Sequence, residues 1–121
     1  MDERVVFITH QDQEILLIDF SGCQAKEILL LLEEVKQTVA GHERNSVLTL
    51  GDFTGAHIDR EVATRLKEVM VFDRPFVKRS ALVGVESLPK VYYDNIKSFT
   101  QRNFATFKTR EEAMDYLVKE P

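Results

Sequence analysis

Val47-Leu48-Thr49-Leu50-Gly51-Asp52-Phe53-Thr54-Gly55-Ala56-His57-Ile58-Asp59 is the stretch on which the fold turns. Its first four residues are a short, mostly apolar run suited to a buried strand, since a strand covered on one face only would alternate with polar residues more regularly. The polar segment Asp52 to Asp59 then gives way to a helical pattern with Val62, Leu66, Val69 and Met70 on one side. An aspartate directly before such a pattern serves as an N-cap, its carboxylate accepting from the free N–H groups of the first turn. The stretch is a β-α unit.

Upstream, Val5-Val6-Phe7-Ile8-Thr9 and Glu14-Ile15-Leu16-Leu17-Ile18-Asp19 are β-branched and apolar, and His10-Gln11-Asp12-Gln13 reads as a hairpin connection between antiparallel neighbours. After Ser21-Gly22, apolar residues at 28, 31, 32, 35 and 39 trace a helical face that ends near Gly41, and Ser21 with Gln24 fits a capping box. Downstream, Val77 to Val85 reads as another strand, and Pro89 opens a helix with Tyr92, Ile96 and Phe99 aligned. Phe104 to Phe107 suits a short strand, and Thr109-Arg110-Glu111-Glu112 is a capping-box match before Ala113, Tyr116 and Leu117. The element order is ββαβαβαβα. Strands separated by helices of this length pair in parallel through right-handed crossovers. The expected fold is therefore α/β, a mixed sheet of four or five strands with the first strand antiparallel and helices packed around it.

Length and composition fit one domain over residues 1–121, with 44% hydrophobic and 30% charged residues, no Pro/Gly/Ser-rich linker, no repeat and no low-complexity tract. The longest apolar run, Ile28 to Leu32, is far short of the ~20 residues of a membrane-spanning helix. Met1-Asp2-Glu3-Arg4 has neither the basic flank nor the apolar stretch of a signal peptide, so the cytoplasm is the expected compartment. The lone Cys23 has no partner for an internal disulfide. A net charge of −4 opposes binding to nucleic acid, and the basic trio Arg74, Lys78 and Arg79 is accompanied by Asp73 and lacks an aromatic platform.

Ligands of open α/β sheets gather beyond the carboxyl ends of the strands, here the loops at Ser21-Gly22, Asp52 to Asp59 and Gly84 to Ser87. Asp52, Thr54, His57, Asp59 and Arg60 form the densest polar group and are the candidate binding residues. Asp52, His57 and Asp59 would support acid-base hydrolysis only if they converged in one cleft. The simpler assignment gives Asp59 to the helix cap, Gly55 to a turn and His57 to solvent. His10, His42 and His57 lie in separate loops without metal-ligand spacing, so no metal is expected. Ser21, Cys23, Thr54 and Ser87 stand near helix starts, where capping accounts for them. Gly51, Gly55 and Gly84 match no phosphate or dinucleotide loop, and no cofactor is expected. Leu30 falls opposite the core-facing stripe of the first helix, a candidate contact for a homodimer.

The stretch from Val47 to Asp59 resembles the signature of the STAS (sulphate transporter and anti-sigma antagonist) family, in which a buried strand leads through an acidic loop into Asp-Ser at a helix start. Asn45 to Leu50 and Thr109 to Ala113 are similar to stretches of the stand-alone SpoIIAA-like branch, whose fold is shared with the CRAL-TRIO lipid-exchange domains. The resemblance implies a regulatory module whose partner binding is switched by a kinase acting on the serine. Asp59 matches the aspartate, but Arg60 stands in the serine's place. The expectation is therefore a non-enzymatic regulatory or protein-interaction module with a protein partner and without that phosphorylation. A carrier of an apolar small molecule or lipid, needing a continuous cavity of roughly 300 Å³ or more, is one alternative. A hydrolase using Asp52, His57 and Asp59 is the other.

Overall fold

Alternation of side-chain direction along the apolar strands divides the core into two layers, one on each face of a single sheet. The computed structural model describes residues 3–102 and 104–119; Met1 and Asp2, which open the Met1 to Arg4 stretch read above, lie outside the described residues. The elements run β1 (Val5–His10), β2 (Gln13–Asp19), α1 (Ala25–Ala40), β3 (Val47–Asp52), α2 (Arg60–Asp73), β4 (Val77–Val83), α3 (Lys90–Thr100), β5 (Ala105–Phe107) and α4 (Arg110–Val118). The five strands lie side by side in chain order, β1 antiparallel to β2 and every later pair parallel.

Successive side chains of a strand point to opposite faces, and the core follows that rule. Leu16, Ile18, Val47 and Leu82 join a layer with Ile28, Leu32, Val35, Val62, Leu66 and Ile96, which come from α1, α2 and α3. Ile15, Leu48, Leu50, Ala81 and Val83 point the other way and pack on Ala113, Leu117 and Val118 of α4. Strand β3 is buried along its whole length, as its apolar run requires. Three helices thus cover one face and α4 alone covers the other, which brings the start of α4 to the carboxyl ends of β2 and β3.

Local chemistry sets the ends of the elements. The β1–β2 turn is two residues long, with Gln11 and Asp12 both left-handed (φ 50° and 65°), the conformation that matches the twist of a tight hairpin. Asp59 Oδ1 accepts from Val62 N at 2.8 Å and Thr109 Oγ1 from Glu112 N at 3.2 Å, so both caps read from the sequence form. Ser21 does not cap α1. The helix begins at Ala25, where Glu27 reaches back to accept from Gln24 N at 3.0 Å, while the Ser21 hydroxyl turns to Asp19. Two further boundaries move: β4 stops at Val83, with Val85–Ser87 forming one 3₁₀ turn, and β5 starts at Ala105. In α3 the buried edge is Ile96 and Thr100 with Tyr93 beside it, so Phe99 is 59% exposed rather than aligned with the core.

Candidate functional site

Three loops leave the carboxyl ends of β2, β3 and β4, and backbone hydrogen bonds lace them into one surface. Phe20 N donates to Asp52 O and Gly22 N to Thr54 O, both at 2.9 Å, and His57 N donates to Cys23 O at 2.9 Å. Phe53 N donates to Val83 O at 2.8 Å, and Gly55 N to Ser87 Oγ at 2.9 Å. Gly84, left-handed at φ 75°, lets Thr54 approach so closely that a Cβ on residue 84 would stand 2.7 Å from Thr54 Cα. These bonds, with the turn that Asp52 Oδ1 closes on Thr54 N at 2.9 Å, tie the Asp52 to Asp59 segment to the neighbouring loops.

The charged centre of this surface includes a residue that the sequence reading had assigned to capping. Arg110, the first residue of α4, donates from Nε to Asp52 Oδ2 at 2.6 Å and lies 3.0 Å through Nη2 from Asp19 Oδ1. Asp52, buried at the end of β3, also accepts from Thr54 N at 2.9 Å. Asp19, at the end of β2, accepts from the Ser21 hydroxyl at 2.5 Å and from Ser21 N at 3.0 Å. Arg4 closes the group, donating to Asp19 O and Ser21 O at 3.2 and 2.9 Å. Burial raises the Asp19 carboxyl, but the Ser21 and Arg110 contacts together hold it below the ordinary carboxylate value. Two arginines balance two aspartates, and each carboxylate is committed to fixed donors. Such a clasp fastens α4 to the strand ends; it offers neither a free base nor an excess of positive charge for an anion.

The proposed site residues separate around this clasp. Asp52 belongs to it; Asp59 faces the opposite layer as the cap of α2; Thr54, His57 and Arg60 are exposed. Among the described residues, no hydrogen bond or ion pair joins Asp52, His57 and Asp59 to one another. The three histidines have unrelated surroundings: His10 Nε2 lies 2.8 Å from Asp115 Oδ1, His42 Nδ1 is 2.9 Å from Thr38 O, and His57 is in solvent. No group of three metal-ligating side chains occurs among the described residues. Cys23 is buried, which pushes its thiol up. Of the basic trio, Arg79 caps the last carbonyls of α4, including Tyr116 O at 3.1 Å, and Arg74 donates to Thr100 O at 3.5 Å.

Two hollows adjoin α2. Between the sheet and α1–α2 lies a cavity of about 40 Å³, partly open to solvent and mostly apolar, with Asp73 and Arg102 at its polar end. It has room for a few water molecules, not for an acyl chain. Arg102 Nη1 donates to Asp73 Oδ1 at 3.0 Å and to Met70 O at 2.9 Å, and Nη2 to Ser80 Oγ at 3.2 Å. Burial pushes the Asp73 carboxyl up to about 6 against the pull of Arg102. The second hollow is an open groove of about 630 Å³ between the start of α2 and the start of α3, lined by Arg60, Thr64, Lys67, Val91, Tyr92 and Asn95 among others. Val91 is 71% exposed there, and Lys67 reaches over the ring of the exposed Phe99, 5.0 Å from its centroid.

Neither a protein-family model nor a curated protein sequence matches the chain. Among solved structures, an uncharacterized protein of the DUF3478 family with a SpoIIAA-like fold, from Shewanella loihica PV-4, superposes with a TM-score of 0.66 at 18% identity, covering 93% of this chain and 91% of that one. The chain therefore has a SpoIIAA-like fold, in agreement with the resemblance read from Val47 to Asp59. No helix among the described residues is long and apolar enough to cross a membrane.

Proposed function

We propose that the chain is a non-enzymatic interaction module that docks a protein partner on the surface of α2 and α3. The observation that carries this reading is the groove between those helices, where exposed Val91 and the exposed Arg60 border an open concavity. Exposed apolar side chains ringed by polar ones favour a protein partner, because the apolar part drives burial and the polar rim sets specificity. Arg60 and Lys67 make an acidic segment the fitting complement, since Asp94, the groove's carboxylate, is paired with Lys90 at 2.7 Å.

By resemblance, the phosphorylatable serine of STAS proteins would stand at Arg60, so the same surface would be read in both. A cation in that place reverses the sign of a phosphoserine and supports docking that needs no kinase. The commitment of Asp52 and Asp19 to Arg110 weighs against the hydrolase alternative. The small volume of the apolar cavity weighs against the carrier.

Affinity capture from native cells, followed by mass spectrometry, tests the reading when wild type is compared with Arg60→Glu and Val91→Glu. Loss of one stoichiometric protein in both variants, with retention in Glu14→Lys on a distant strand, supports it. Turnover of metabolite esters or phosphates that disappears in Asp52→Ala would replace it with an enzyme.

A further inference from the structure

The edge of the sheet at β1 carries a second interaction surface, independent of the groove. β1 pairs with β2 alone, in unbroken register from Val5↔Ile18 to His10↔Gln13. Asp19 N donates to Arg4 O at 2.7 Å, which makes Arg4 and Asp19 a hydrogen-bonded pair of the antiparallel ladder. Such pairs alternate along an antiparallel strand. Val6, Ile8 and His10 therefore spend their backbone groups on β2, while the N–H and C=O groups of Val5, Phe7 and Thr9 face outward. Among the described residues no hydrogen bond is made to these groups, while the Val5 and Phe7 side chains themselves pack toward the core.

Exposed edges in monomeric proteins are blunted by lysine, proline, a bulge or shortness. The opposite edge, β5, is three residues long. β1 is six residues of Val-Val-Phe-Ile-Thr-His with no proline, no bulge and no lysine or carboxylate. We propose that β1 pairs antiparallel with β1 of a second copy of this chain, about a two-fold axis through Phe7, to make a continuous sheet across the dimer.

The sequence is self-complementary in that arrangement. Phe7 faces Phe7, Val5 faces Thr9 and Val6 faces Ile8, so each residue meets one on the same face of the sheet and no like charges oppose. The outward residues Val5, Phe7 and Thr9 are the ones placed in hydrogen-bonded pairs, giving about six backbone bonds across the axis. One step further out, Arg4 of one copy meets His10 of the other. The exposed Asp115 carboxylate, 2.8 Å from that imidazole, sets a negative charge on the same face as Arg4, whose Nη1 stays on Asp19 O and Ser21 O. This charge match on the α4 side of the sheet favours a second copy over an unrelated strand.

The test is sedimentation of the full chain across concentration, up to about 200 µM, with hydrogen exchange read at Val5, Phe7 and Thr9. A dimer that grows with concentration, and slowed exchange of those three amides in it, is the expected result. Thr9→Pro removes an outward N–H that β2 does not use and should abolish the dimer, with a thermal midpoint equal to that of the wild type at concentrations where both are monomeric. Thr9→Lys, which keeps the backbone intact, should do the same if the proline variant fails to fold. A wild-type monomer at the highest concentration, a dimer indifferent to the folded variants, or unchanged exchange of the three amides overturns the proposal. A synthetic unrelated strand that binds the edge of a chain which stays monomeric overturns it as well, in favour of a foreign partner.

Discussion

Replacing Arg110 by alanine strips two aspartates of one shared cation, and the structure gives the size of the effect. Asp52 is the costlier loss: its side chain is 7% exposed and keeps only the Thr54 N–H once the 2.6 Å bond to Arg110 Nε is gone. Removing one partner of a fully buried pair costs about 3–5 kcal/mol, because a charge is left behind without compensation. Arg110 is 37% exposed and Asp19 23%, so solvent screens part of that loss, and about 2–3 kcal/mol remains. The deficit should shrink on acidification. The Asp19 carboxyl is held below its ordinary value in the folded chain, so its contribution is present above that ordinary value, about pH 4, and fades as pH falls through the folded one. The assay is urea denaturation followed by far-ultraviolet circular dichroism at pH 7, since the chain has no tryptophan. With a slope of roughly 1.5 kcal/mol per molar urea, the midpoint should drop by about 1.5 M. Arg110→Lys, which cannot span both carboxylates in a fork, should fall between the two. A midpoint shift under about 0.3 M would show that the clasp does not hold α4 to the strand ends and would refute the reasoning.

Other perturbations probe the same frame. Gly84→Ala should cost about 3 kcal/mol or more, through the Thr54 backbone 2.7 Å from the new methyl and the left-handed φ, and unchanged thermal unfolding would show that the loops are not so tightly apposed. Thr109→Ala should cost about 1 kcal/mol by uncapping α4, read as a fall in the denaturation midpoint; no change would mean that the cap contributes nothing. Asp73 titrates near 6 in the folded chain against an ordinary 3.8, so the folded state takes up its proton first and the group's contribution falls as pH rises between those values. The stability of wild type minus that of Asp73→Asn should therefore decline by about 2 kcal/mol from pH 4 to pH 7, and a difference that is flat or rises with pH would contradict the burial argument.

Much of the fold was legible because burial writes itself into the period of the sequence. The unbroken apolar run of β3, the helical stripe of α1 and the caps Asp59 and Thr109 are all local signals, and local physics decides them. Where two local solutions compete, the reading slipped. Ser21–Gln24 and Gln24–Glu27 both have the spacing of a capping box; the pull of Asp19 on the Ser21 hydroxyl leaves the start of α1 to the second pair. In α3, Tyr92, Ile96 and Phe99 share a plausible helical face, but α2 covers only part of the helix and the buried edge runs through Ile96 and Thr100. The site was the least legible part. Arg110 meets Asp52 across 58 positions because α4 crosses alone to the far face of the sheet, and nothing in Thr109-Arg110-Glu111-Glu112 distinguishes a clasp from a cap. Asp73 and Arg102 meet across 29 positions for the same kind of reason.

The central claim, that the surface between α2 and α3 docks a protein, is tested most directly by placing a photo-crosslinking side chain at position 91 in native cells. One discrete cross-linked protein, lost when Arg60→Glu is added and absent when the same group is placed at position 14, is the expected result. No adduct at position 91, or the same adducts from both positions, would contradict the account.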